Sequence, residues 1–297
     1  MCGMTVRDTD RHDHQVRAFG AAAQRRLRAL TVAVVGVGGI GSLVVQGLAH
    51  MGAGRLIVVD PDHVEPTNLN RLAGATDVDA RSETSKIEVA ARLARSIDPD
   101  IAVHQLPASV LDADTWRELR CADVIVGAVD EHAPRWALNT LAVQYRRHYI
   151  DTGTLVSDES GTLDVSGHVA TVTPDGPCLL CLSGYDPSQA SMELDPGLTA
   201  AKRAAGYLSD APDEPAPSVM FLNQAVAAVA LGELLNIVGD WHAPRPYTLV
   251  DLGRPSLTAM HAEASPDCPA CGPDSTRGLC DTAPPPCFTP PEPPPPM

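Results

Sequence analysis

Two groups of residues in this chain have the types and spacing to do chemistry. The first opens with the glycine cluster Gly36-Val37-Gly38-Gly39-Ile40-Gly41 and continues through Asp60, Asn68, Asn70, Arg71, Lys86 and Asp130. Glycines let a backbone turn tightly and approach a phosphate closely. A helix start behind them offers free N–H groups and the positive end of a dipole, and an acid at the next strand's end can accept hydrogen bonds from ribose hydroxyls. GxGxxG alone fits a packing turn in an α/β protein equally well; its context here favours a nucleotide. The second group is a pair of CxxC knuckles, Cys178-Leu179-Leu180-Cys181 and Cys268-Pro269-Ala270-Cys271. Four thiolates match a closed tetrahedral site for a structural Zn²⁺, which leaves no open position for catalysis. Two local disulfides or a redox-active CxxC are the alternatives, and no βαβ pattern puts either pair at a thioredoxin-like helix start.

The elements that must hold these residues follow from periodicity. Thr31 to Val37 is apolar and β-branched, as a buried strand requires; Ser42 to Met51 reads as a helix stopped by Gly52 and Gly54. Arg55 to Val59 is the next strand and delivers Asp60. A turn-rich stretch holds Asn68, Asn70 and Arg71, and Ser82 or Thr84 is placed to cap a helix running to Ser96. Lys86 then falls in a first turn, where the dipole disfavours a cation. An anionic ligand would explain that position, and so would an exposed pair with Glu83. Strands over Ile101 to Leu106, Asp123 to Val129 and His148 to Asp151 alternate with helices over Asp112 to Leu119 and Ala133 to Arg146. This alternation predicts an α/β fold, a doubly wound, mainly parallel sheet, with Asp60 and Asp130 at strand ends that can share a cleft. Leu163 to Thr173, Tyr247 to Leu252 and Leu257 to Glu263 look like antiparallel strands, and Val219 to Val238 like a buried helix. Three regions result: an N-terminal helical segment 1–30, a main domain 31–271 containing a crossing loop of little fixed structure at about 184–217, and a proline-rich, disordered tail 272–297.

Charge and composition remove several function classes. A net charge of −15 argues against nucleic acid as a partner, and Arg25-Arg26-Leu27-Arg28 is too short to relieve it. No apolar leader precedes the first helix. Ala29 to Gly54 lacks charged residues, but its glycines and embedded nucleotide pattern identify a buried βα unit and not a membrane span. A cytoplasmic location is expected, where cysteines serve metals or catalysis before disulfides. His12 and His14 read as solvated side chains, Cys121 as packing, and Cys280 and Cys287 as spare thiols.

The glycine turn, Asp60-Pro-Asp-His-Val-Glu-Pro-Thr-Asn68-Leu-Asn70-Arg71, Lys86, Gly127-Ala-Val-Asp130 and the paired knuckles occur in one order. Together, over Arg11 to Cys271, they resemble the ThiF/MoeB/HesA family of enzymes that adenylate ubiquitin-like and sulfur-carrier proteins. The resemblance implies a Rossmann-like fold with C-terminal antiparallel strands and a structural zinc knuckle. It implies that Gly36, Gly38, Gly39 and Gly41 bring backbone close to ATP, and that Asp60 holds the ribose. Asn68, Asn70, Arg71 and Lys86 would address the triphosphate, and Asp130 would hold Mg²⁺; catalysis would rest on Asp130, Arg71 and Lys86. The implied partner is the C-terminus of a ubiquitin-like or sulfur-carrier protein or peptide, whose carboxylate attacks the α-phosphate of ATP, and the enzyme is implied to be a homodimer.

Two departures matter. Where many members carry an N-terminal arginine pair, this chain has Arg11 and His14, so a contribution across the dimer is weakened. Between Cys181 and Cys268 there is no cysteine, which predicts adenylation without a crossing-loop thioester. The rival readings are a degenerate nucleotide-binding scaffold and an NAD-dependent oxidoreductase, the latter supported by the glycines and Asp60 alone.

Overall fold

A computed structural model of the chain describes residues 11–158, 161–195, 197–199 and 217–283. A single eight-stranded sheet runs through it in the order β3-β2-β1-β4-β5-β6-β7-β8. The strands are β1 Thr31–Val35, β2 Arg55–Val59, β3 Ala102–Leu106, β4 Val124–Gly127, β5 His148–Ser157, β6 Asp164–Val172, β7 Tyr247–Asp251 and β8 Ser256–Met260. β1 to β5 pair in parallel, and β6 to β8 add antiparallel strands beyond β5. The expected mixed sheet is therefore present. β1 leads by way of β2 to one side, while β4 lies on its other side, so the strand order reverses between them. In open α/β sheets that reversal opens a crevice at the carboxyl ends of the strands.

Helices cover both faces. On one face α1 (Asp13–Ala29), α2 (Gly39–Met51) and α4 (Lys86–Ile97) join the long helix α8 (Met220–Gly239). Their buried residues, among them Leu27, Leu48, Ala90, Leu222, Val226 and Leu234, pack on Val32, Val34, Val58 and Val169. Fully burying such an aliphatic side chain contributes roughly 1.5–3 kcal/mol. On the other face α5 (Ala113–Leu119) and α6 (His132–Tyr145) bury Trp116, Leu119, Leu138 and Leu141 against Ala33, Val35, Ile57 and Ile125. α8 is long and apolar enough to span a membrane by composition, yet it packs against α2, β5 and β6 as a core helix.

Five expectations need correction: His12, read as solvated, is buried, and Cys121, read as packing, is exposed; the other three concern the elements. The crossing region 184–217 contains α7, Pro187–Leu194, whose N-cap Asp186 accepts hydrogen bonds from Ser188 N at 2.7 Å and Gln189 N at 3.4 Å. Asp followed by Pro at the first helical position is a start signal that the polar composition around it hid; residues 196 and 200–216 lie outside the described residues. The tail was expected to be disordered from 272, but residues 272–283 lie against α6. Gln144 Nε2 donates to Cys280 O at 2.8 Å and Ala283 O at 3.0 Å, and Arg120 Nη1 pairs with Asp281 at 2.6 Å. The proline-dense part, 284–297, lies outside the described residues. Ser85, not Ser82 or Thr84, precedes the helix that carries Lys86, because Asp77–Arg81 forms a separate short helix, α3.

α3 is held by a buried carboxylate. Asp79 accepts bonds from Arg92 Nη1 at 2.8 Å, Arg92 Nη2 at 2.7 Å and Thr76 N at 2.8 Å. Arg92's hydrogen bonds hold the Asp79 carboxyl well below the usual carboxylate range. A depressed native pKa contributes stability above the unfolded value and loses it as pH falls through the acid range. With the Arg92 guanidinium half in solvent, screening reduces that contribution. Asp79→Asn should lower the thermal midpoint by about 2 °C at neutral pH, and the gap from wild type should close as melting is measured below about pH 4.

Candidate active site at the sheet's switch point

The crevice at the β1/β4 reversal is a cleft of about 560 Å³. Its floor is the glycine turn. Gly36 has φ +80° and its nitrogen donates to Val59 O at 2.8 Å; a Cβ there would lie 2.5 Å from Ala128 O. Glycine alone satisfies both the left-handed backbone and that approach. α2 starts immediately behind, with Gly38 as an N-cap lacking a side-chain oxygen. The first N–H groups of a helix have no intrahelical partner, so this end of α2 presents donors and positive dipole to the cleft.

Asp60 secures the turn from the end of β2. It is 5% exposed; Oδ2 accepts from Val37 N at 2.8 Å and Oδ1 from Asp62 N at 2.9 Å. Burial raises its pKa, opposed by the positive charge of Lys86 and by the two backbone donors. The following stretch is stitched to the start of α4 through Val64 N to Thr84 O at 2.8 Å and Lys86 N to Asp62 O at 2.9 Å. Lys86 Nζ consequently meets Asp62 Oδ2 at 2.8 Å, not Glu83, and lines the cleft in a largely buried position.

Asn68 and Arg71 come from the loop before α3. Asn68 is nearly buried, its Oδ1 accepting from Glu65 N at 3.1 Å. Arg71 Nη1 donates to Thr67 O at 2.6 Å and Asn70 Oδ1 at 3.2 Å, while its aliphatic stem passes over Gly39. Ser42, buried in the first turn of α2, ties this loop to the glycine turn by accepting from Ala73 N at 3.0 Å. Asp130 projects exposed from the end of β4 into the same cleft.

Of the residues singled out from sequence, Gly36, Gly38, Gly39, Asp60, Asn68, Arg71, Lys86 and Asp130 are brought together in the lining. Two are not. Asn70 is exposed outside it and braces Arg71. Gly41 faces the turn itself: a Cβ there would lie 1.8 Å from Gly36 O, so it serves the close packing of helix on strand. Several cleft residues had no motif to announce them. Glu131 adds negative charge beside the motif residue Asp62; burial, then the charges of Glu193, Asp130 and Asp62, push the Glu131 carboxyl up. Asn223, fully buried in the first turn of α8, lies over Gly39, and Arg135, Thr152 and His168 line the far wall. Arg11 does not reach the cleft: its Nη1 donates to Ile97 O at 2.8 Å and pairs with Asp98 at 3.2 Å, and His14 is exposed.

Away from the cleft the four cysteines meet as predicted. Their ligand atoms lie within 4.8 Å of one another, with Sγ separations of 3.9 Å for Cys178–Cys181, 3.7 Å for Cys178–Cys268 and 3.6 Å for Cys181–Cys271. Thiolates about 2.3 Å from one tetrahedral ion stand roughly 3.8 Å apart, so the sulfurs fit a metal. Disulfides, at about 2.05 Å, do not fit, and all four cysteines are free.

Fold and cleft define a doubly wound α/β protein with a four-cysteine knuckle. The ThiF family model matches residues 12–270, and the chain belongs to that family. It is 29% identical over 255 residues to the SAMP-activating enzyme E1 of Haloferax volcanii, covering 85% of this chain and 84% of that protein. It is also 29% identical over 275 residues to a sulfur carrier protein adenylyltransferase of Thermus thermophilus, covering 92% and 94%. Against ubiquitin-like modifier-activating enzyme 5 of Drosophila ananassae it is 33% identical over 169 residues, but spans only 40% of that protein. In fold it is similar to the crystal structure of E. coli MccB with ATP, with TM-score 0.68 and 21% identity over 89% of this chain and 74% of that one.

The glycine turn yields a direct test. Gly41→Ala forces backbone against backbone and should lower stability by about 3 kcal/mol, read from the denaturant midpoint. Gly232→Ala, on α8 with nothing within 4 Å of its added carbon, should be neutral or raise stability by up to about 1 kcal/mol.

Proposed function

We propose that this protein is an ATP-dependent adenylyltransferase that activates the C-terminal carboxylate of a ubiquitin-like or sulfur-carrier protein, or of a peptide, as an acyl-adenylate. One observation carries this reading: Arg71, Lys86 and Asp130 converge on the glycine turn, at the end of the sheet where the strand order reverses. The names of the Haloferax and Thermus relatives, which span most of their length with this chain, support the same activity.

A carboxylate is already a nucleophile and needs no base to attack the α-phosphate. The enzyme's work is positioning and neutralising phosphate charge. The N–H groups at the start of α2 would cradle phosphate, and Lys86 would exchange Asp62 for a phosphate oxygen. Arg71, already fixed by Thr67 and Asn70, would hold another without a search for its conformation. Asp60 stands where it can accept from the ribose. Asp130, with Asp62 and Glu131 beside it, forms an acidic rim whose mutual repulsion a divalent cation would relieve; bound there, Mg²⁺ supplies charge neutralisation for the departing pyrophosphate. NAD chemistry would leave the Arg71, Lys86 and Asp130 set without a purpose, and a degenerate scaffold would have no reason to retain all three.

The rest of the proposal concerns assembly. The four cysteines hold a structural Zn²⁺ that fixes the 268–283 segment beneath α6. A homodimer, in which His14 stands at the outer face of α1, and a cytoplasmic location go with this reading.

Pyrophosphate–ATP exchange, measured across a panel of ubiquitin-like and sulfur-carrier proteins and free C-terminal peptides, is the test. Exchange is expected with at least one member and should fall at least 100-fold in Asp130→Ala, with ATP binding retained. ATP binding without exchange by any carrier would favour a scaffold. Metal analysis should find about one zinc per chain, lost in Cys178→Ser together with part of the thermal stability; zinc-free wild type of full stability would refute the structural site.

A further inference from the structure

The far wall of the cleft holds a group that adenylation does not use. Asp151 of β5 is completely buried, and each of its oxygens is taken. Tyr149 Oη donates to Oδ1 at 2.6 Å, Arg135 Nε stands 3.5 Å from the same oxygen, and His168 Nε2 lies 3.0 Å from Oδ2. Burial, and then the neighbouring Asp151 charge, push the Tyr149 hydroxyl far up, so it keeps its proton and remains a donor. The His168 ring is clamped from its other side by Tyr247, stacked at 5.5 Å between centroids and 11° between planes.

This arrangement decides the tautomer. An acceptor carboxylate at Nε2 puts the ring's proton there, and a neutral imidazole then has its lone pair on Nδ1. Among the described residues no partner is recorded for Nδ1. The ring edge stands beside the space above Gly153: a Cβ on Gly153 would lie 2.5 Å from Cε1, 2.9 Å from Arg135 Nη2 and 3.1 Å from Nδ1. All three residues line the cleft that the glycine turn floors. A base in hydrogen-bond reach of a site, oriented by a buried carboxylate, is the arrangement that activates a nucleophile.

The first half-reaction has no proton to remove, because the attacking carboxylate is ionised. The second half-reaction does. The chain has no cysteine between Cys181 and Cys268, and Cys178, Cys181, Cys268 and Cys271 are committed to one another. Cys121 and Cys280 do not line the cleft either, so among the described residues no thiol stands at it, and the acyl group passes from AMP to a nucleophile brought in from outside. We propose, resting on the adenylyltransferase reading, that His168, oriented by Asp151, is the general base of that transfer. The external nucleophile carries a removable proton on nitrogen or sulfur. Its lone pair forms a bond to the acyl carbon, and the bond from that carbon to the AMP oxygen breaks with its electron pair leaving on AMP. The N–H or S–H proton passes to Nδ1. The products are the amide or thioester, AMP and a proton, with nothing oxidised or reduced. Arg135 Nη2, beside the same space, is placed to steady the acyl oxygen.

The test compares two rates on the full-length protein: pyrophosphate–ATP exchange with the carrier that supports it, and transfer of the activated carrier to glycinamide or to 2-mercaptoethanol. His168→Gln should lower the ratio of transfer to exchange by about 100-fold, and Asp151→Asn, which turns the ring's proton to the other nitrogen, should lower it too. Asp151 and Tyr149 from β5, Arg135 from α6 and Tyr247 from β7 are the titratable or charged groups around the ring. A loss confined to glycinamide identifies an amine as the natural nucleophile, and one confined to 2-mercaptoethanol identifies a thiol. A ratio within about twofold of wild type for both nucleophiles overturns the proposal while leaving adenylation intact. Absence of exchange with every carrier overturns the adenylyltransferase reading, and this inference with it.

Discussion

The cleft hangs on one buried carboxylate. Asp60 ends β2, accepts from Val37 N inside the glycine turn and from Asp62 N in the loop that follows. Those two bonds join the glycine turn to the stretch that carries Asp62 and, through it, Lys86. Burial opposes the charge of Asp60, and Lys86 with the two backbone donors offsets that penalty. A buried charge with its hydrogen bonds complete holds its surroundings to one geometry, whereas a buried charge left short of partners is strongly destabilising. The turn and the Lys86 helix are therefore placed as a unit, before any nucleotide arrives.

Around that unit the molecule divides its work by strand direction. The parallel half, β1 to β5, delivers the glycine turn, Asp60 and Asp130 at one end of the sheet, because parallel strands all finish on the same side. The antiparallel half places His168 on β6 directly across from Gly153 on β5 and so extends the cleft wall beyond the glycine turn. The cysteine cluster joins segments ninety positions apart, Cys178 to Cys268, without entering the cleft. Stability and chemistry are thus carried by different parts of the C-terminal region.

Much of this was legible in the sequence. Apolar β-branched runs broken by glycine marked β1, β2 and β4, and residues with strong chemical preferences, such as four paired cysteines, announced their meeting. Less legible was anything decided by tertiary contact. Lys86 could have paired with Glu83 or an anion, and only the backbone stitching of Val64 to Thr84 brings Asp62 to it. Gly41 reads like its neighbours in a motif, yet its reason is the 1.8 Å approach to Gly36 O. Asp151, His168 and Arg135 lie on two strands and a helix, with no local spacing to connect them. The 187–194 helix was hidden by composition, and the order in 272–283 comes from Gln144 and Arg120 on distant elements.

The central claim is that the Asp60-braced cleft activates a carboxylate with ATP. Intact-mass measurement of candidate carriers, after incubation with this protein, ATP and Mg²⁺, tests it most directly. The account predicts a carrier species heavier by one adenylyl group at its C-terminus, formed together with pyrophosphate and absent with Asp130→Ala. If no carrier or peptide acquires that mass while NAD, and not ATP, binds the cleft, the account is contradicted.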